Sequence, residues 1–250
     1  MNEDPRTGQA AGDSGKKVAQ KRAEPKALGF NSIIEKESES MGTKMEFGFR
    51  PYVGKDYHKT SRNLLIVGAS HYCAADDCDL DFTSRCMEKY MAYKLGIAES
   101  PGRWIGTFTK FAHAAAGRKL VPQELVAFYR HVAFYNYLQE PEGATEKEKH
   151  PEKFRDPQHL CLFQKALHEL EPGMVIVWGE NVWQALPEDL GKGRKQLSDD
   201  GLPDELHGRL WEYYMADGRP VIFCTVDHPS SPGFSHERFS PLLRRLDLKF

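Results

Sequence analysis

Four short apolar runs, each ending in a glycine or a polar loop, constrain this chain more than any other feature. They are Asn63-Leu64-Leu65-Ile66-Val67-Gly68, Val132-Ala133-Phe134-Tyr135-Asn136-Tyr137-Leu138, Met174-Val175-Ile176-Val177-Trp178-Gly179 and Pro220-Val221-Ile222-Phe223-Cys224-Thr225-Val226. None alternates apolar with polar residues, so each reads as a strand buried on both faces, as in a parallel sheet. Between them lie helical stretches: Thr83 to Leu95, Trp104 to Ala116, Pro122 to about Arg130, Gln158 to Glu171, a short one carrying Val182, Trp183 and Leu186, and Ser235 to Leu246. Strands alternating with helices predict an α/β fold of three layers, α/β/α, around a central, mainly parallel, four-stranded sheet. Leu210 to Met215 alternates weakly and precedes Ala216-Asp217-Gly218-Arg219, a hairpin signal. Ligands of such sheets bind beyond the carboxyl ends of the strands. The loops at Gly68, Asn136, Gly179 and Asp227 are therefore expected to converge on one cleft.

The remaining sequence sets bounds. Residues 1–45 mix charges with Gly, Ala and Ser and carry almost no aromatic groups. They cannot bury enough apolar surface to order themselves, so a disordered tail followed by one domain over 46–250 is expected. The polar stretch from Glu140 to Pro157 and residues 187–207 read as surface loops. No apolar run reaches the ~20 residues of a membrane helix, and the polar N-terminus lacks the core of a secretory signal. A cytoplasmic monomer with no membrane partner is expected. A net charge of −2 counts against a large duplex footprint but leaves room for a small basic patch. Of five cysteines, Cys161 and Cys224 read as core, while Cys73, Cys78 and Cys86 are spaced C-x4-C-x7-C. That spacing lacks the C-x2-C pair of zinc and iron–sulfur sites, so the three read as reduced thiols, and no metal or other cofactor is expected.

Chemistry concentrates in the strand-end loops. Asp227-His228-Pro229-Ser230-Ser231-Pro232 leaves a buried strand and enters a helix, which puts the His228 ring at the ligand edge on a turn stiffened by proline. Gly68-Ala69-Ser70-His71-Tyr72 begins with a glycine that lets a ligand approach the backbone. Ser70 and His71 invite a nucleophile-and-base reading, but no G-x-S-x-G elbow is present, so a pocket-lining loop is the stronger reading. Tyr72 reads as a ligand contact or as a packing residue. The Asn136 amide either reads a ligand edge, offering donor and acceptor together, or bridges to a neighbouring loop. Glu180 reaches the cleft or caps the short helix after the third strand.

Four of these segments, in order, resemble the uracil-DNA glycosylase superfamily, of which this chain would be a divergent member. They are Leu65-Ile66-Val67-Gly68-Ala69-Ser70-His71-Tyr72, Phe134-Tyr135-Asn136, Val175-Ile176-Val177-Trp178-Gly179 and Asp227-His228-Pro229-Ser230-Ser231-Pro232, and the resemblance spans about residues 60–248. It implies a glycosylase-like fold, DNA or another nucleobase-containing ligand as partner, and hydrolysis of the N-glycosidic bond of a flipped or modified base. By the same resemblance, His228 stabilises the leaving base, with Ser70 and His71 beside it. Gly68, Ala69, Tyr72 and Asn136 hold the base. Ser230, Ser231, Pro232 and Gly233 approach the nucleic acid, with Phe234 as a wedge and Arg238, Arg244 and Arg245 adding positive charge. The family places a carboxylate or Asn in the first loop to position water, and Ser70 stands in that place here. One of Asp76, Asp77, Asp79 and Asp81 folding back, or His71 orienting the water, is the expected replacement. A non-catalytic nucleotide-binding module and a Ser70-dependent hydrolase of small esters are the competing functions.

Overall fold

The structure, a computed structural model, describes residues 46–73, 78–143 and 151–248, which belong to one compact unit, Gly42–Phe250. The tail expected over residues 1–45 lies outside the described residues. Seven strands form one mixed sheet in the order β1-β3-β2-β4-β7-β6-β5. They are β1 (Tyr52–Val53), β2 (Leu64–Gly68), β3 (Val132–Asn136), β4 (Met174–Trp178), β5 (Gly191–Gln196), β6 (Leu210–Met215) and β7 (Pro220–Val226). The four apolar runs are the central block β3-β2-β4-β7, parallel throughout.

Side chains alternate across this block, and both faces are buried. Ile66, Phe134, Ile176, Trp178, Cys224 and Val226 join one core with α1 (Phe82–Lys94), α2 (Ile105–Ala116), α3 (Pro122–Arg130) and α6 (His236–Arg244). Leu65, Val67, Ala133, Tyr135, Val175, Val177 and Phe223 join the other with α4 (Pro157–Leu170) and α5 (Glu180–Ala185). This two-sided burial is why the runs show no period-2 pattern. Local chemistry sets the helix ends. The Glu124 carboxylate accepts from the Val121 N–H at 2.9 Å ahead of Pro122. Asp156 accepts from the Gln158 N–H at 2.9 Å ahead of Pro157.

The sheet corrects the four-stranded expectation. β6 and β5 extend it antiparallel beyond β7, and β1 pairs antiparallel with β3 on the opposite edge. β1 has only two residues, too few for a pattern. β5 reads Gly-Lys-Gly-Arg-Lys-Gln and carries no apolar signal. Its neighbour holds it through cations: the Arg194 guanidinium lies 4.3 Å from the Trp211 ring centroid and donates to the Tyr213 hydroxyl at 2.7 Å. A charged edge strand also resists pairing with another chain.

The polar stretch after β3 is only partly a surface loop. Glu142 is buried, and Pro151–Arg155 forms a 3-10 turn whose Phe154 stacks on Tyr137. Residues 144–150 of that stretch lie outside the described residues. No helix among the described residues is long and apolar enough to cross a membrane.

Candidate functional site

Within the parallel block the chain runs from β2 to β3 on one side, then crosses to β4 and β7 on the other. In open α/β sheets a crevice lies at such a reversal, here beyond the carboxyl ends of β2 and β4, and ligands bind in it. Neighbouring strands lie about 4.8 Å apart, so the ends of β3 and β7 stand about 14 Å apart across it. Asn136 ends β3, Gly68 ends β2, Gly179 follows β4 and His228 follows β7.

On the β2 side, backbone pairing continues past the strand ends. Gly68 and Ala69 carbonyls accept from Tyr137 and Leu138 N–H groups at 3.0 and 2.9 Å, and the His71 carbonyl accepts from Glu142 at 3.0 Å. A parallel bridge joins His71 to Pro141. This ladder carries Glu142 to the first loop, where the Ser70 hydroxyl donates to its Oε2. Glu142 is only 4% exposed. A buried carboxylate is costly without such partners, and a hydrogen bond to a charged group offsets about 1.5–3 kcal/mol.

Gly68 is required here by close approach. A Cβ at this position would lie 2.5 Å from Asn136 Oδ1 and 2.9 Å from the Phe134 ring. Asn136 is itself 4% exposed, and its side-chain amide makes no hydrogen bond among the described residues. The bridge to a neighbouring loop, one of its two expected roles, is therefore absent among them.

On the β7 side, side chains hold the loop. Asp227 accepts from Arg209 at 3.0 Å and from Arg238 at 2.9 Å, and Arg238 also donates to the Gly233 carbonyl at 3.1 Å. His228 Nδ1 accepts from the Ser230 N–H at 3.2 Å and lies 2.7 Å from the Ser230 hydroxyl. A backbone N–H only donates, so in the neutral ring the proton sits on Nε2. The ring stands edge-on to Trp178 at 6.0 Å, and a Cβ on Gly179, whose φ is +93°, would lie 3.6 Å from the His228 Cβ.

Several expected site residues take other places. His71 is buried between Phe49 and Phe82, each ring 4.8 Å away edge-on, with Nε2 2.9 Å from the Thr83 hydroxyl. Burial pushes its pKa down from 6.5 to about 3, so it is an anchor for the loop and not an exposed base. Tyr72 is 40% exposed, which excludes the packing reading. Ala69 is half-buried beside Ser70. Phe234 is buried and stacked on Phe239 at 4.8 Å, so it is not presented as a wedge. Ser231 Oγ is also buried, whereas Ser230, Pro232 and Gly233 are exposed. Arg238 is committed to Asp227 and Gly233, while Arg244 and Arg245 are exposed. Glu180 accepts from Gln184 at 2.8 Å along α5.

Neither Asp79 nor Asp81 folds back to supply the missing carboxylate. Asp79 pairs with Arg85 and Asp81 with Arg50, while Asp76 and Asp77 lie outside the described residues. Cys73 and Cys78 are joined as a disulfide, which corrects the reading of both as reduced thiols. Among the described residues no group of three His, Cys, Asp or Glu side chains could hold a metal.

Glu142 is the residue that sequence reasoning missed. Glu140-Pro141-Glu142 looks like any polar loop, and only its pairing with residues 69–71 distinguishes it. No protein-family model matches this chain, and no curated protein matches it.

Proposed function

We propose that this chain has a uracil-DNA glycosylase-like fold, binds a flipped or modified nucleobase across the ends of β2, β3, β4 and β7, and hydrolyses its N-glycosidic bond. One observation carries the reading: Asn136 is 4% exposed, and its amide makes no hydrogen bond among the described residues, at the sheet edge where ligands bind. A base edge with a donor beside an acceptor satisfies both ends of the amide at once.

The chemistry follows from the charges. Breaking the bond leaves its electron pair on the base and positive charge on C1′ of the sugar. His228, with its proton on Nε2, donates to the leaving base where negative charge develops. Water adds through its oxygen to C1′ and gives its proton to Glu142, which Ser70 holds in place. The released base takes a proton from solvent. Ser70 in place of an acid favours a purely binding role, and the Glu142 carboxylate beside Ser70 supports hydrolysis instead.

The test is release of free base from oligonucleotides carrying uracil, hypoxanthine or an alkylated base. Wild type is expected to release base from at least one, with His228→Ala slower by about a hundredfold or more. Release from none overturns hydrolysis. A melting shift with nucleoside but no release assigns the crevice to binding alone.

A further inference from the structure

A cleft of about 360 Å³ lies between the start of α1 and the turn ahead of α2, lined by Phe82, Arg85, Cys86, Lys89, Pro101 and Trp104. We propose that it holds one nucleotide of a single-stranded nucleic acid, the neighbour of the nucleotide in the crevice, with its base against Phe82 and Trp104 and its phosphate on Arg85 and Lys89. The proposal rests on the base-binding reading above.

The cleft has the size of a small ligand site, near the lower end of the usual ~300–1,000 Å³. Arg85 and Lys89 are four residues apart on α1, so they share one face of the helix. The Arg85 guanidinium lies 5.5 Å from the Phe82 ring centroid and is also held by Asp79, which fixes its orientation. Lys89 is exposed and makes no ion pair among the described residues. Trp104 is half-buried, its Nε1 donating to the Pro101 carbonyl at 3.3 Å. Aromatic faces beside fixed cations are how proteins hold single strands without reading sequence. A phosphorylated peptide would use the cations and leave the aromatic walls without a planar partner. Position also supports a strand. The Phe82 ring meets the His71 imidazole at 4.8 Å, and Ser70 is the next residue toward the crevice.

Cys86 gives a readout independent of catalysis. It is a free thiol in the cleft lining, and burial pushes its pKa up to about 11, so alkylation is slow enough to follow. The full chain is treated with a thiol reagent, with and without an unmodified dT 12-mer, and Cys86 and Cys161 are quantified by peptide mass spectrometry. The oligonucleotide is expected to slow modification of Cys86 by about tenfold and leave Cys161 unchanged. Lys89→Glu and Trp104→Ala are each expected to weaken 12-mer binding about tenfold, and Trp104→Phe to retain it because the stacking face remains. Equal alkylation with and without oligonucleotide, or variants that bind as wild type does, would overturn the proposal. Base release is measured on the same proteins. Release with Cys86 unprotected overturns the cleft alone, and protection without release overturns hydrolysis alone.

Discussion

The two loops that flank the crevice are built in different ways. The loop after β2 is held by main chain: residues 68–71 continue a parallel ladder beside residues 137–142, and Glu142 arrives as a consequence. The loop after β7 is held by side chains close in sequence: Asp227 grips Arg209 and Arg238, and Ser230 caps the His228 ring. The first arrangement places a costly group where no neighbour in sequence announces it. The second advertises itself in its own residues. A ladder transmits position between distant segments, whereas a short polar turn encodes its position locally.

If the two loops act on opposite sides of one bond, removing either chemical group should nearly abolish base release while the fold survives. Glu142→Gln keeps a partner for Ser70 and loses the proton acceptor, so single-turnover release is expected to fall about 10²–10³-fold with little change in melting. A rate equal to wild type would separate Glu142 from the chemistry. His228→Ala is expected to cost about 10²-fold in the same assay. A much smaller loss would leave the β7 loop as scaffold.

Stability measurements sharpen the comparison further. Gly68→Ala forces a methyl group against Asn136 and Phe134 and is expected to cost about 1–3 kcal/mol in urea unfolding. Unchanged stability would mean the ladder yields easily.

The first loop should also be acid-sensitive through His71. Burial holds this imidazole neutral down to about 3 against an ordinary 6.5, so between those values the unfolded chain binds the extra proton. Its contribution is complete above pH 6.5 and is lost as pH falls toward 3, by up to about 1.4 kcal/mol per pH unit. His71→Phe should flatten that slope, and an unaltered slope would assign the acid sensitivity elsewhere. The smallest effect is expected for Asp227→Asn, about 1 kcal/mol and reduced by added salt, because its ion pairs are partly exposed. Insensitivity to salt would point to the loop backbone as its support.

Much of the scaffold was legible. Val67, Phe134, Val177 and Phe223 sit in unbroken apolar runs because a central parallel strand is buried on both faces, and the absence of alternation was itself the signal. Asn136 stood out as the one amide inside such a run, and His228 as the imidazole in the loop that leaves one. β5 was not, since an edge strand held by Arg194 over Trp211 needs no apolar pattern. His71 and Phe234 misled for one reason: a ring in a loop looks the same in sequence whether it meets solvent or a neighbouring phenyl group.

The sequence by itself determined the alternation of buried strands with amphipathic helices, and with it the sheet edge at which ligands of such folds bind, because hydrophobic periodicity and turn residues are local properties. Only the tertiary structure decided which carboxylate reaches that edge. Glu142 is 72 residues from Ser70 and comes to it through backbone hydrogen bonds that depend on no side-chain identity. A ladder formed by groups every residue shares leaves no trace in the sequence.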